Sequence, residues 1–402
     1  MKNSTTSWVA ACGLLLAACT FNQVSPDRIA PIAEYRSLLD GTVRPDMEVI
    51  AFGRSDELFP VRVVRKGPAL VPLRQSSRPL MPIKFQSDGK NYDLFDYLSL
   101  NRVAGLLVLK DGEISFEDYE LGIDSSTRWA SFSVAKSITS TLVGAAIKDG
   151  YIKSLDEPLT QYLPQLRNTA YDGVSIRHVL QMSSGVRWNE AYTDRNSDLR
   201  KLSDKRMTLM PGTIVDYMST LSRAAEPGSV FAYNTGETYL LGPLLEAATH
   251  RPLAQYLSER IWSRVGADRD ATWWLESPEG VGLAGAGFGA TLRDYGRFGL
   301  LVLNDGVIDG ERIVPEGWFS VAGSAKVVGG KPVDYGYMWW PMPKGDEIHA
   351  GAFRAIGIFG QYIYINPAEK LVIVVVSARP KPTGGVVIKD NDFFGAVARA
   401  LH

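Results

Sequence analysis

Ser133 and Lys136, in the stretch Ser131-Phe132-Ser133-Val134-Ala135-Lys136-Ser137, are the pair in this sequence best suited to chemistry. At helical spacing their side chains share one face, one turn apart. An amine that has lost its proton can take the proton of the serine hydroxyl and generate a nucleophile without any histidine. The pattern is short, and the chain holds a twin, Ser87-Asp88-Gly89-Lys90. There the Asp-Gly pair marks a turn, so the twin is not read as a site.

Other groups offer partial support. In Pro227-Gly228-Ser229-Val230-Phe231-Ala232-Tyr233-Asn234-Thr235-Gly236, a turn runs into a helix and Tyr233 stands just before the helix start. A phenol beside a lysine ammonium is more easily deprotonated and can shuttle a proton to a leaving group. A buried structural tyrosine is the commoner case, and Tyr364, within a predicted strand, competes for the role. The run Gly351–Gln361 contains Gly357 and Gly360, which would let backbone N–H groups approach a substrate as an oxyanion hole, or simply form a bulge or tight turn. Trp339 and Trp340 fit either core or pocket wall. None of the four histidines, His178, His250, His349 and His402, sits in a metal-binding pattern, and no Gly-x-Ser-x-Gly elbow is present. Ser183-Ser184-Gly185 reads as a serine-rich stop after a helix.

The elements that must position these groups belong to an ordinary globular chain of 402 residues, 45% hydrophobic and 22% charged, with room for two lobes. A formal net charge of −1 gives no electrostatic footprint for nucleic acid. Lys2, the apolar Trp8–Ala18 and Leu16-Ala17-Ala18-Cys19 resemble an export leader of lipoprotein type over residues 1–18, with Cys19 as the lipidated residue; the alternative is a plain secretory leader cleaved nearby, and both readings export the protein. The chain's two cysteines, Cys12 and Cys19, both lie in or at the end of this leader, so the mature domain has no internal disulfide. The expected location is the periplasmic face of a bacterial membrane, held by the lipid; Thr20 after the cysteine fits outer-membrane sorting.

Residues 19–93, broken by eight prolines after Cys19, read as a tether and an irregular segment wrapped over the main body. The domain proper is expected over 94–402. Leu94–Leu100 reads as a short helix, and Val103–Leu109 with Glu113–Glu120 as a hairpin about Asp111-Gly112. The helix carrying Lys136 runs to about Asp149, and its apolar surroundings penalise the ammonium form. Residues from about 155 to 285 read as an inserted, mostly helical lobe, with helices over Ile176–Met182, Leu240–Thr249 and Pro252–Trp262. Then follow a helix over Asp294–Asn304, strands Gln361–Ile365 and Leu371–Ser377, and a closing helix over Asp392–Leu401. Strands at both ends with helices between predict an α+β fold, an antiparallel sheet flanked by helices.

In their order, these segments resemble the serine β-lactamase and penicillin-binding-protein superfamily, and within it the class C-related esterase and 6-aminohexanoate-dimer hydrolase branch. The resemblance covers roughly Asp93 to the C-terminus. It rests on Gly105–Tyr119, Ser133-Val134-Ala135-Lys136-Ser137, Ile176–Gly185, Pro227–Gly242, Gly287–Gly299 and Gly357-Ile358-Phe359-Gly360-Gln361. It implies Ser133 as the acyl-accepting nucleophile, Lys136 as its base and Tyr233 as the residue exchanging protons with the leaving group and the deacylating water. It implies an oxyanion hole from the backbone N–H groups of Ser133 and Ile358, and Tyr192 as a pocket tyrosine; Trp339, Trp340 and Gly357 are the further pocket candidates read from the residues themselves.

Two departures bear on substrate. Tyr233 is followed by Asn234 and Thr235 rather than completing Tyr-x-Asn, and the third motif, at Ala355-Ile356-Gly357 or His349-Ala350-Gly351, lacks its lysine. Without that cation, recognition of a substrate carboxylate weakens and a neutral small amide or ester is favoured, although Arg354 offers a substitute. The expected function is therefore a serine hydrolase working through an acyl-enzyme, without metal or organic cofactor and with no nucleic-acid partner. The alternatives are β-lactamase or D,D-peptidase activity, and a binding or sensing module that keeps the fold without turnover.

Overall fold

The computed structural model describes Met1 and residues 35–402; the leader and Cys19 lie outside the described residues. Its centre is a six-stranded antiparallel sheet made of β1 (Val103–Lys110), β2 (Glu113–Tyr119), β3 (Trp340–Pro341), β4 (Phe353–Gly357), β5 (Gln361–Asn366) and β6 (Leu371–Ser377), in spatial order β3-β4-β5-β6-β1-β2. The early hairpin joins the late strands through β1 and β6, with Leu107 opposite Val374 and Val108 opposite Ile373.

Both faces of this sheet are covered, which explains why β6 is buried along its whole length. Strand alternation sends Leu107, Leu109, Val372 and Val374 to one face and Leu106, Val108, Ile373 and Val375 to the other. The first face carries the helices α1 (Val134–Lys148) and α3 (Leu292–Leu303). The second is covered by α4 (Asp390–Ala400) and the short helix Leu94–Leu100, where the Tyr97 and Phe393 rings stack at 3.7 Å. The fold is the mixed helix-and-antiparallel-sheet arrangement expected.

Several local expectations are corrected. The segment before Asp93 is more ordered than its prolines suggest, with helices at Tyr35–Asp40 and Pro45–Gly53 and strands at Val61–Val64, Lys84–Ser87 and Lys90–Asp93. Its described prolines, from Pro45 to Pro82, fall at an element start or between elements, where their missing N–H is harmless. Ala271–Trp274, inside the stretch read as helical, is a strand: it pairs with Val61–Val64 on one side and Phe288–Ala290 on the other. That pairing is long-range, and four residues of local pattern cannot announce it. Ser87 and Lys90 face each other across a hairpin turn through Asp88-Gly89, as the turn signal requires.

Candidate active site

Ser133 stands where a strand becomes a helix. Trp129–Ala130 pairs with Gly289 and Ala290 at the edge of the small sheet, and the Ser131 N–H donates to Phe288 O at 2.8 Å. Phe132 then takes a left-handed conformation (φ +47°) and Ser133 caps α1. A phenylalanine rarely adopts that conformation, and burial of its ring among Phe52, Phe359 and Trp274 holds it there. The sharp bend presents Ser133 to a cavity instead of burying it.

One turn into α1, Lys136 is buried, and its Nζ lies 2.8 Å from Ser133 Oγ and 2.9 Å from Gly285 O. Burial pushes the amine down to about 8, against an opposing pull from Glu190. Tyr233 ends the loop that leads into α2 (Thr235–Thr249); Asn234 caps that helix through Glu237 N. The Lys136 Nζ is 5.3 Å from the centre of the Tyr233 ring. The expectation of an acidified phenol is reversed: burial pushes Tyr233 well above the usual range, Glu190 adds to this, and the Ser133 hydroxyl acts the other way. Tyr233 therefore keeps its proton at neutral pH.

The third wall is β4 and the turn after it. A Cβ on Gly357 would sit 2.4 Å from Ser131 O, so only glycine lets this strand end come so close to the serine loop. Gln361 ties the two together: its Oε1 accepts from Trp129 Nε1 at 3.0 Å and from Ser377 N at 3.1 Å. Among the described residues, the N–H groups of Ser133 and Ile358 donate to no protein acceptor, which leaves both free for a ligand oxygen.

These pieces enclose a cavity of about 300 Å³ lined by Ser133, Tyr192, Tyr233, Trp340, Ile356, Gly357, Ile358, Tyr362, Arg379 and Lys381, among others. Trp340 stacks on Tyr233 at 5.9 Å. Trp339 does not line it, a correction: adjacent residues of an extended segment point to opposite sides, and Trp339 is buried against Phe353 and Phe319. Ala355-Ile356-Gly357 is the third-motif candidate at the cavity. His349-Ala350-Gly351 borders a separate cavity of about 770 Å³ that does not reach Ser133. Arg354 does not line the cavity, so it cannot replace the missing lysine there. Tyr364 is bonded to His349 and Asn366, and Ser183 to His178 O; neither reaches the cavity. Among the described residues, no group of three or more His, Cys, Asp or Glu side chains is arranged to hold a metal ion.

The sequence reading missed the role of Glu190. Its carboxylate accepts from Thr235 N at 3.0 Å, Thr235 Oγ1, Trp188 Nε1 at 2.5 Å and Tyr192 Oη at 3.2 Å. It thereby joins the loop carrying Tyr192 to the turn carrying Tyr233. Burial pushes this carboxyl up, while Lys136, Thr235 and Trp188 pull it back. The net shift is upward, and the Lys136 amine is the neighbouring charge that favours the ionised form. No local pattern marks Glu190, since its enclosure depends on chain segments far away.

Residues 101–394 match the Beta-lactamase family model, nearly three quarters of the chain. The chain belongs to the beta-lactamase family. It is 30% identical over 347 residues to a 6-aminohexanoate-dimer hydrolase from Paenarthrobacter ureafaciens, covering 83% of this chain and 86% of that one. A beta-lactamase from Pseudomonas fluorescens is 25% identical over 173 residues, 41% of this chain and 44% of that one. Among solved structures, a putative 6-aminohexanoate-dimer hydrolase from Bacillus anthracis superposes with a TM-score of 0.76 at 24% identity, covering 89% of this chain and 94% of that chain. EstCE1, a hydrolase with promiscuous acyltransferase activity, shares the fold with a TM-score of 0.57 at 16% identity, over 76% of this chain and 96% of its own. Family membership makes this chain a serine hydrolase by class.

Proposed function

We propose that this beta-lactamase-family hydrolase cleaves small amides or esters through an acyl-enzyme, with Ser133 as nucleophile, Lys136 as base and Tyr233 as proton donor. The observation that carries the reading is the buried Lys136 amine 2.8 Å from Ser133 Oγ, pushed down to about 8 by its surroundings. A lysine in that range is neutral often enough near neutral pH to accept a proton.

In the proposed sequence, Lys136 takes the Ser133 proton as Oγ attacks the substrate carbonyl carbon. The carbonyl oxygen becomes an oxyanion, held by the N–H groups of Ser133 and Ile358. Tyr233 gives its proton to the departing nitrogen or oxygen as the bond to carbonyl carbon breaks, and Lys136 can restore it. Water then attacks the ester on Ser133, gives up a proton to the same pair, and releases the acid with the serine hydroxyl regenerated. The similarity to the Paenarthrobacter ureafaciens 6-aminohexanoate-dimer hydrolase supports an amide or ester substrate over a β-lactam. The leader supports export and lipid anchoring at Cys19.

Intact-mass measurement after a fluorophosphonate challenge, with turnover of activated esters, tests the reading. The wild type should gain one adduct on Ser133, and Ser133→Ala should lose both adduct and turnover. Retained ester hydrolysis in Ser133→Ala would overturn the assignment. Absence of any adduct in the wild type would favour a binding module.

A further inference from the structure

The two N–H groups assigned to the oxyanion hole each stand beside a phenylalanine in the left-handed region. Phe132 precedes Ser133 at φ +47°, and Phe359 follows Ile358 at φ +63°, with Gly360 next at φ +88°. A bulky side chain is out of place there, and two successive residues at positive φ are ordinarily glycine, asparagine or aspartate. Backbone in that state persists only where its surroundings over-determine it.

Both turns share one support. Phe52, near the end of the helix Pro45–Gly53, lies 4.9 Å from the Phe132 ring at 80° and 5.0 Å from the Phe359 ring at 49°. The Phe132 and Phe359 rings are themselves 5.2 Å apart, so the three close a buried triangle. Phe52 also meets Trp129 edge-on at 5.6 Å, and the Trp129 indole N–H reaches Gln361 across the same gap. Rings at these separations attract one another beyond the area they bury. Turning Phe132 out of the left-handed region would withdraw its ring and reorient the next N–H, that of Ser133. Gly357 pairs with Gln361 across a turn of only three residues, so a change at Phe359 must be taken up at Ile358 or Gly360.

We infer that Phe52 is a positioning residue for the oxyanion hole: one ring sets the N–H groups of Ser133 and Ile358 together. Phe52 does not line the cavity and acts only through the two phenylalanines. The segment expected merely to wrap the main body is thereby part of the framework of the active site. The inference rests on the acyl-enzyme reading and goes beyond it. Lys136 is held separately, within α1 and by Gly285 O, so the base should be unaffected by changes at Phe52.

The test compares p-nitrophenyl hexanoate with its thiono analogue, whose sulfur accepts hydrogen bonds poorly, so that an aligned oxyanion hole favours the oxoester. Phe52→Ala should lower kcat for the oxoester about 10²-fold with KM within about threefold, as expected for a misplacement on the order of 1 Å. The oxo-to-thiono ratio of kcat/KM should fall about fivefold or more, while the pH limb set by Lys136 stays in place. Phe52→Leu, which keeps the space filled, should shift the ratio in the same direction by less, and it carries the test if Phe52→Ala does not fold. Leu98→Ala truncates a buried residue in the core on the opposite face of the sheet and should leave the ratio unchanged. A wild-type ratio retained in the Phe52 variants, or an equal fall in Leu98→Ala, overturns the inference. Should the wild type hydrolyse neither ester, the hydrolase reading has failed and not the positioning role. Crystal structures of the wild type and Phe52→Leu then decide it: Phe132 or Phe359 leaving the left-handed region supports the role, and both turns unchanged overturn it.

Discussion

Replacing Glu190 by glutamine isolates the effect of one charge on the proposed base. The geometry favours a clean substitution. Glu190 Oε2 accepts from two nitrogens, Trp188 Nε1 and Thr235 N, so the amide oxygen can stay there. Glu190 Oε1 meets two hydroxyls, Thr235 Oγ1 and Tyr192 Oη, which can turn and accept from the new amide. What disappears is the negative charge that holds a proton on Lys136. With the amine at about 8 instead of 10.5, roughly 9% is unprotonated at pH 7 against roughly 0.03%, an advantage of about 300-fold. Wild-type kcat/KM should therefore rise about tenfold per pH unit below about 8 and level off above it. Removing an opposite charge makes the ammonium less stable, so in Glu190→Gln this limb moves to lower pH, by about one unit. The plateau falls modestly, because the weaker base drives proton transfer less. The assay is the pH profile of kcat/KM for an activated ester, with fold integrity checked by circular dichroism. A limb that stays in place or moves to higher pH would refute the electrostatic link between Glu190 and Lys136.

Other changes test separate parts of the site and fold. Tyr233→Phe should lower kcat about 10²-fold or more on amides, with a smaller loss on p-nitrophenyl esters, whose leaving group departs without a proton; equal losses on both would argue against a proton-donor role. Gly357→Ala forces a Cβ to within 2.4 Å of Ser131 O, so β4 must retreat from the serine loop. Turnover should fall about 10²-fold and stability by about 1–3 kcal/mol, read by ester kinetics and urea denaturation. Glu48 has both carboxylate oxygens buried with no hydrogen-bond partner among the described residues, and burial pushes its pKa up to about 8. The folded state therefore binds the proton more tightly than the unfolded chain, and this group's penalty grows as pH rises from about 4.5 to about 8. Glu48→Gln should raise Tm by an amount that increases over that window and then levels off. A Tm difference independent of pH would show that Glu48 ionises normally. Asp390→Ala strands the buried Arg379 guanidinium and should cost about 3–5 kcal/mol in chemical denaturation.

The elements easiest to read in this sequence are those with dense local signals. Asp111-Gly112 between alternating apolar runs gave the β1–β2 hairpin, and the apolar face after Lys136 gave α1. The Ser133–Lys136 contact was legible for the same reason, since i, i+3 spacing in a helix places two side chains together without help from elsewhere. Ala271–Trp274 was not, because its partners are some two hundred residues earlier and fifteen to seventeen residues later. Trp339 and Trp340 were indistinguishable until the direction of the chain at β3 was known.

The sequence by itself determined which residues could do chemistry and the order of the elements carrying them. Residue type and local spacing are properties of the chain. Tertiary structure alone decided how those residues titrate and what else joins them. Burial moved Tyr233 opposite to the direction expected from a neighbouring lysine, because desolvation depends on everything packed around the phenol. It also enclosed Glu190 between two loops, and fixed Lys381 against Gly41 across a separation of 340 residues. Such contacts are set by how the sheet and its covering segments close on one another, a long-range outcome that no window of sequence contains.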